Sequence, residues 1–64
     1  MPDLDLRAAQ LYLTFGGFDP GPVDGVLGSR TRAALIDFQN QQGLPATGEV
    51  DDAVLAALVK LALT

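Results

Sequence analysis

The chain has 64 residues, 48% of them hydrophobic, and eight acidic against four basic side chains give a formal net charge of −4. That sign is wrong for neutralising phosphates or for attaching to anionic lipid, which argues against nucleic acid and membrane surfaces as partners. With neither cysteine nor histidine there is no disulfide staple and no ligand set for a structural zinc, so one modest apolar core must hold a single domain, 1–64, with no metal and no cofactor.

Leu6, Ala9 and Leu13 recur at i, i+3 and i+7 and predict a first helix over about 4–15, stopped by Gly16-Gly17. The run from Phe18 to Gly28 carries too much glycine and proline to be helical and reads as consecutive turns. Phe18, Val23 and Leu27 are the side chains expected to pin it to the core. Thr31, Ala34, Leu35 and Phe38 then return to helical spacing and predict a second helix over about 29–41, ended at Gly43. After the short turn Leu44-Pro45-Ala46-Thr47-Gly48, Asp51 suits the N-cap of a third helix over about 51–63 carrying Val54, Ala57, Leu58 and Leu61.

No apolar run approaches the roughly 20 residues of a membrane helix, so no membrane insertion is expected. The start, Met1-Pro2-Asp3-Leu4-Asp5, lacks the basic and apolar regions of a secretory signal, and synthesis in the cytoplasm is expected. Sliding the sequence by 23 positions superimposes Gly25 on Gly48, Thr31 on Val54, Ala34-Leu35 on Ala57-Leu58 and Phe38 on Leu61. Each half is a turn followed by a helix, the self-similarity expected of a unit that buries its apolar face only against a copy of itself.

Leu6, Gln10, Leu13, Gly17-Phe18, Asp24-Gly25, Gly28, Thr31, Ala34-Leu35, Phe38-Gln39, Gly43-Leu44 and Gly48 stand in an order and spacing that resembles the peptidoglycan-binding domain family, from about Leu6 to Leu58. The resemblance implies an all-α fold, a compact three-helix bundle with two pseudo-repeated turn-helix halves and a long ordered Gly/Pro-rich loop between helices 1 and 2. It also implies a non-catalytic module that holds hydrolases or other proteins on bacterial cell-wall peptidoglycan, with a stem peptide or the glycan as ligand.

Within the motif, Asp24-Gly25 supplies a sharp turn through a glycine at positive φ, and Gly28 is expected to permit close approach at the start of helix 2. Exposed backbone N–H groups there, beside Arg30, are suited to a carboxylate such as the end of a stem peptide. Asp24, Gly25, Gly28, Arg30 and Thr31 are therefore candidate ligand-binding residues. Taken individually, Asp24, Gly28 and Thr31 read better as groups that only cap and close the loop. Gln10 and Gln39 share this ambiguity, since an amide beside a buried loop either satisfies backbone groups or meets a ligand; Gln39 joins the candidates. Phe38 belongs to the core and Phe18 anchors the turn, which leaves Tyr12, placed between the two apolar faces of helix 1, as the ring that could be presented to a sugar and the lesser of the ligand candidates.

The second half departs from the pattern: Thr47 stands where the first has Asp24, Asp51 where it has Gly28, and Val54 where it has Thr31. The net negative charge predicts weak binding to a wall that is itself largely anionic. Leu4, Ala8, Leu11 and Phe15 form a second apolar stripe on helix 1, and Leu55, Val59, Ala62 and Leu63 widen the apolar face of helix 3. Aligned stripes of this kind predict docking to another subunit or domain. They support a second reading, an interaction subunit of a phage-like particle or secretion machine, acting at the cell wall, in a virion-like particle or in a secreted assembly. Catalysis is not expected, because neither histidine nor cysteine is available as base, nucleophile or ligand. The acid pairs Asp51/Asp52 and Asp19/Asp24 lack room for a substrate cleft, and Asp51 and Asp52 fit a helix cap and a first-turn acid.

Overall fold

A computed structural model describes residues 3–63, among which the chain forms three helices, α1 Leu4–Phe15, α2 Ser29–Gln42 and α3 Asp52–Ala62, and no strands. Met1 and Pro2, read above as part of a start without an export signal, lie outside the described residues, as does Thr64. The chain is therefore all-α, and its radius of gyration of 10.2 Å is close to the roughly 10.7 Å of a single compact domain of this length.

Each helix is set by its ends. Asp3 caps α1, its Oδ1 accepting from the N–H groups of Asp5 at 3.0 Å and Leu6 at 3.2 Å, and the Asp5 carboxylate in the first turn complements the helix dipole. Asp51 caps α3 in the same way, accepting from the Val54 N–H at 2.9 Å. Its backbone is extended, so the helix proper begins at Asp52 and closes at Leu63, inside the 51–63 read from sequence. At the C-terminus of α2, left-handed Gly43 and the Leu44 N–H bond to the Gln39 carbonyl at 2.9 Å carry the last turn through Gln42.

α1 packs against both α2 and α3, more extensively against α3. Ala9, Leu13, Ala34, Leu35, Phe38, Val54 and Leu58 form the buried core, with Tyr12, Phe18, Leu55, Ala57 and Leu61 among the half-buried side chains around it. Phe18 meets Phe38 edge to face at 5.5 Å and 88°, an arrangement that favours the positive ring edge against the negative face.

The loop between α1 and α2 (residues 16–28) is held differently from the expectation. Val23 and Leu27 do not pin it; both are exposed, as is Val26. Phe18 and the buried Pro20 are the apolar anchors, and the remaining attachment is polar. A chain crossing over a helix must find partners for its own N–H and C=O groups, and here an amide from α1 supplies them.

Candidate functional site

Gln10 is fully buried on α1. Its Oε1 accepts from the N–H groups of Asp24 at 3.0 Å and Gly25 at 2.8 Å. Its Nε2 lies within donating distance of Asp24 Oδ1 at 3.2 Å, the Val26 carbonyl at 3.1 Å and Thr31 Oγ1 at 3.1 Å. The Thr31 hydroxyl donates onward to the Pro20 carbonyl at 2.8 Å. One side chain thus ties α1, the turn and the first turn of α2 together. Among the described residues no buried side-chain polar atom lacks a partner.

The second half repeats this clasp. Gln39, buried on α2, accepts through Oε1 from the Gly48 N–H at 2.9 Å and donates through Nε2 to Thr47 Oγ1 at 2.9 Å and to the Glu49 carbonyl at 3.5 Å. Gly25 and Gly48 share a positive φ, 74° and 70°, which a side chain rarely tolerates. Thr47 therefore takes the place of Asp24, even to accepting from the N–H two residues on: Val26 to Asp24 Oδ1 at 2.9 Å, Glu49 to Thr47 Oγ1 at 3.2 Å. The departure at Thr47 thus keeps the clasp; a hydroxyl does there what a carboxylate does in the first half.

The two halves differ at the helix that follows each clasp. α3 has the Asp51 cap and the first-turn acid Asp52, whereas α2 starts at Gly28 with no side-chain cap, no acid in its first turn, and Arg30 instead. This helix end presents uncapped N–H groups and the positive end of a helix dipole beside the Arg30 guanidinium, which is itself paired with Asp19. It borders a recess of about 230 Å³ lined by Pro20, Pro22, Asp24, Val26, Gly28, Ser29, Arg30 and Thr31.

The structure distributes the sequence candidates as follows. Asp24, Gly28, Arg30 and Thr31 line the recess, and Gly25 is buried beside it. Gln39 belongs to the second clasp, and Tyr12 is half-buried against the core. Gly28 does not serve close approach, since a Cβ there would meet no atom within 4 Å; its backbone is extended at φ −95°, and what glycine leaves at this N-cap is an absent cap. Pro20, Pro22, Val26 and Ser29 had no motif to mark them. Arg30 pairs with Asp19, its Nη2 lying 2.8 and 2.7 Å from the two carboxylate oxygens, a partnership across the loop that no spacing rule announces. Of the apolar stripes, Leu4, Leu11, Phe15, Val59, Ala62 and Leu63 are exposed, while Ala8 and Leu55 are half-buried, Leu55 against the core.

The Asp24 carboxyl is held below its ordinary value, first by the Val26 N–H and then by the Gln10 amide, against a smaller opposing effect of burial. A folded-state pKa below the unfolded one gives stability that is complete above the unfolded value of 3.8 and is lost as pH falls through the lower folded value. Thermal melts on a descending pH series should show the wild type losing stability more steeply than Asp24→Asn, which keeps the acceptor oxygen without the titration. Parallel pH profiles for the two proteins would exclude Asp24 as an acid-sensitive member of the clasp.

The sequence matches the family described as "Putative peptidoglycan binding domain" over residues 2–58. It is 43% identical over 54 residues to "Localization factor PodJL" of Caulobacter vibrioides, covering 84% of this chain and 6% of that protein. It is 48% identical over 49 residues to "Putative OxPP cycle protein OpcA" of Synechococcus elongatus, covering 77% of this chain and 11% of that one. The chain therefore spans a small fraction of the length of these relatives. No solved structure matches it. Among the described residues no helix is long and apolar enough to cross a membrane, and no cluster of acidic residues is arranged to hold a metal ion.

Proposed function

The chain belongs to the peptidoglycan-binding domain family, and on that premise we propose that it is a non-catalytic module that attaches to bacterial cell-wall peptidoglycan through the recess at the start of α2. The observation that carries this reading is the uncapped helix end beside Arg30, opening onto that recess. Donors fixed by the backbone accept an anionic or strongly polar ligand group without having to be reorganised. Asp24, Gly25 and Thr31 act in this reading as the frame that holds the recess open, being already engaged with Gln10. Gly28, Ser29 and Arg30 face the ligand. The module binds and does not turn its ligand over.

The direct test is retention on purified, insoluble peptidoglycan at low salt, where the net charge of −4 is expected to make attachment weak. A protein that stays wholly in the supernatant at every concentration of wall material would end this reading.

A second reading, an interaction subunit within a larger assembly such as a phage-like particle or secretion machine, draws on a different observation. Leu4, Phe15 and Leu63, at the ends of α1 and α3, are 74%, 73% and 82% exposed, large apolar side chains that a partner surface would cover. Relatives in which this unit is a small part of a long chain are compatible with it. Sedimentation velocity separates one version of this reading: self-association through the stripes predicts a concentration-dependent increase in sedimentation coefficient that Leu4→Glu abolishes. A single monomeric species at all concentrations would exclude a second copy as the partner.

A further inference from the structure

Asp24-Gly25 is the only step in the sequence at which an aspartate precedes glycine; Asp19 precedes Pro20, which has no N–H, and the other aspartates precede residues with side chains. The chemistry of that step is specific. In a free chain the Gly25 nitrogen, unshielded by a side chain, attacks Asp24 Cγ; a C–N bond forms, and the N–H proton leaves with the carboxyl hydroxyl as water. Water then reopens the cyclic imide at either carbonyl. Opening at Cγ restores aspartate, and opening at the α-carbonyl leaves isoaspartate, with the main chain running through Cβ and Cγ. The attack needs a released Gly25 N–H and a mobile, neutral carboxyl. The fold withholds all of these. The buried Gly25 N–H donates to Gln10 Oε1 at 2.8 Å. Asp24 Oδ1 accepts from the Val26 N–H at 2.9 Å and lies 3.2 Å from Gln10 Nε2. The Val26 N–H first, and the Gln10 amide second, hold the carboxyl pKa below its ordinary value, which makes the neutral, reactive form scarcer still.

We propose that Asp24-Gly25 is a latent modification site, converted to isoaspartate through its cyclic imide when the loop opens and guarded in the closed state by the Gln10 amide. The side chain that fixes the turn thus sets how fast the backbone at the turn is rewritten. Isoaspartate adds a methylene to the main chain and displaces the Gly25 N–H, so a rewritten loop does not regain the clasp. The rim of the recess at Asp24 and Val26 is then released for good. The second half marks the distinction. Gln39 holds Thr47-Gly48 with a glycine of the same positive φ, but a hydroxyl offers no carbonyl carbon to attack, so only the first clasp guards a reactive step. Local opening of a folded protein costs less than unfolding the whole, and the reaction therefore follows the opening of the clasp rather than of the bundle. This chemistry does not depend on what the recess binds.

The experiment incubates the intact chain at neutral pH and physiological temperature, with the urea-unfolded chain as reference. Isoaspartate at Asp24 is measured by electron-transfer fragmentation of the tryptic peptide that begins after Arg7 and ends at Arg30. Hydrogen exchange of the Gly25 amide gives the opening equilibrium of the clasp in the same protein. The folded chain is expected to react about tenfold or more slowly than the unfolded one, by the factor that protects the Gly25 amide and by less than the factor that protects the core amide of Leu35. Gln10→Ala should react about fivefold or more faster than the wild type, and Gln39→Ala at the wild-type rate. The isomerised protein, separated by chromatography, should keep its protected Leu35 amide and lose protection at Gly25. The exchange comparison needs no substitution, so it decides the matter even where Gln10→Ala does not fold. Equal rates in folded and unfolded chains, a folded rate that tracks Leu35 rather than Gly25, an unchanged rate in folded Gln10→Ala, an equal acceleration in Gln39→Ala, or a still-protected Gly25 in the isomerised protein would each overturn the proposal.

Discussion

Gln10→Ala should destabilise the domain by about 1–3 kcal/mol, the cost of a buried polar group left without a partner. The groups at stake are unequal. Asp24 and Val26 are exposed and can turn to water, and the Thr31 hydroxyl keeps its bond to the Pro20 carbonyl, but the Gly25 N–H is buried and loses its partner. A domain of 64 residues has a total stability of roughly 3–10 kcal/mol on the usual per-residue scale, so the substitution takes away a large part of it. Gln39→Ala is the internal comparison. That amide meets fewer groups, one of them at 3.5 Å, and its loss should cost about half as much. Urea unfolding of the three proteins with a common m-value measures both differences. A Gln10→Ala protein within about 0.5 kcal/mol of the wild type would mean that water replaces the amide at no penalty and that the clasp does not hold the loop.

Gly28→Asp should have the opposite effect on stability and a larger one on function. A Cβ at this position meets nothing within 4 Å and the backbone is already extended, so aspartate fits there without strain, as it does at Asp3 and Asp51. Its carboxylate would accept from the first N–H groups of α2 and complement the dipole, a gain of a few tenths of a kcal/mol over glycine. The same carboxylate would fill the place proposed for the ligand. A slightly higher melting temperature together with lost retention on insoluble peptidoglycan is therefore expected, a combination that damage to the fold does not produce. Retention equal to that of the wild type would move the ligand site away from this helix end.

The helices were legible because their punctuation is local. Aspartate before α1 and α3, glycine after α1 and α2, and apolar residues at helical spacing between them each act within a few residues. The loop was less legible because its path decides what is buried. Val23 and Leu27 look like anchors by type, yet the chain is tethered by Pro20 and by an amide on another element, and both apolar side chains face outwards. The repeat could be seen in Gly25 and Gly48, but its chemistry could not be seen at Thr47, because residue identity does not reveal that a hydroxyl accepts the bonds a carboxylate accepts elsewhere. Gly28 was noticed for the wrong property: what counts is the cap it fails to supply. The Asp19–Arg30 pair joins residues brought together only by the folded loop.

The paired clasps close chain segments of different size, 15 residues from Gln10 to Gly25 and nine from Gln39 to Gly48. Because the entropy of closing a loop rises only slowly with its length, the longer excursion adds little to the difficulty of folding. It carries the exposed Asp19 and Pro22 outside the glutamine's grip. Rewriting the exposed positions of that excursion, with Phe18 and Pro20 left in place as its anchors, would alter what the mouth of the recess admits while the bundle beneath kept its shape, so one scaffold can be retuned for different surfaces by editing a few residues.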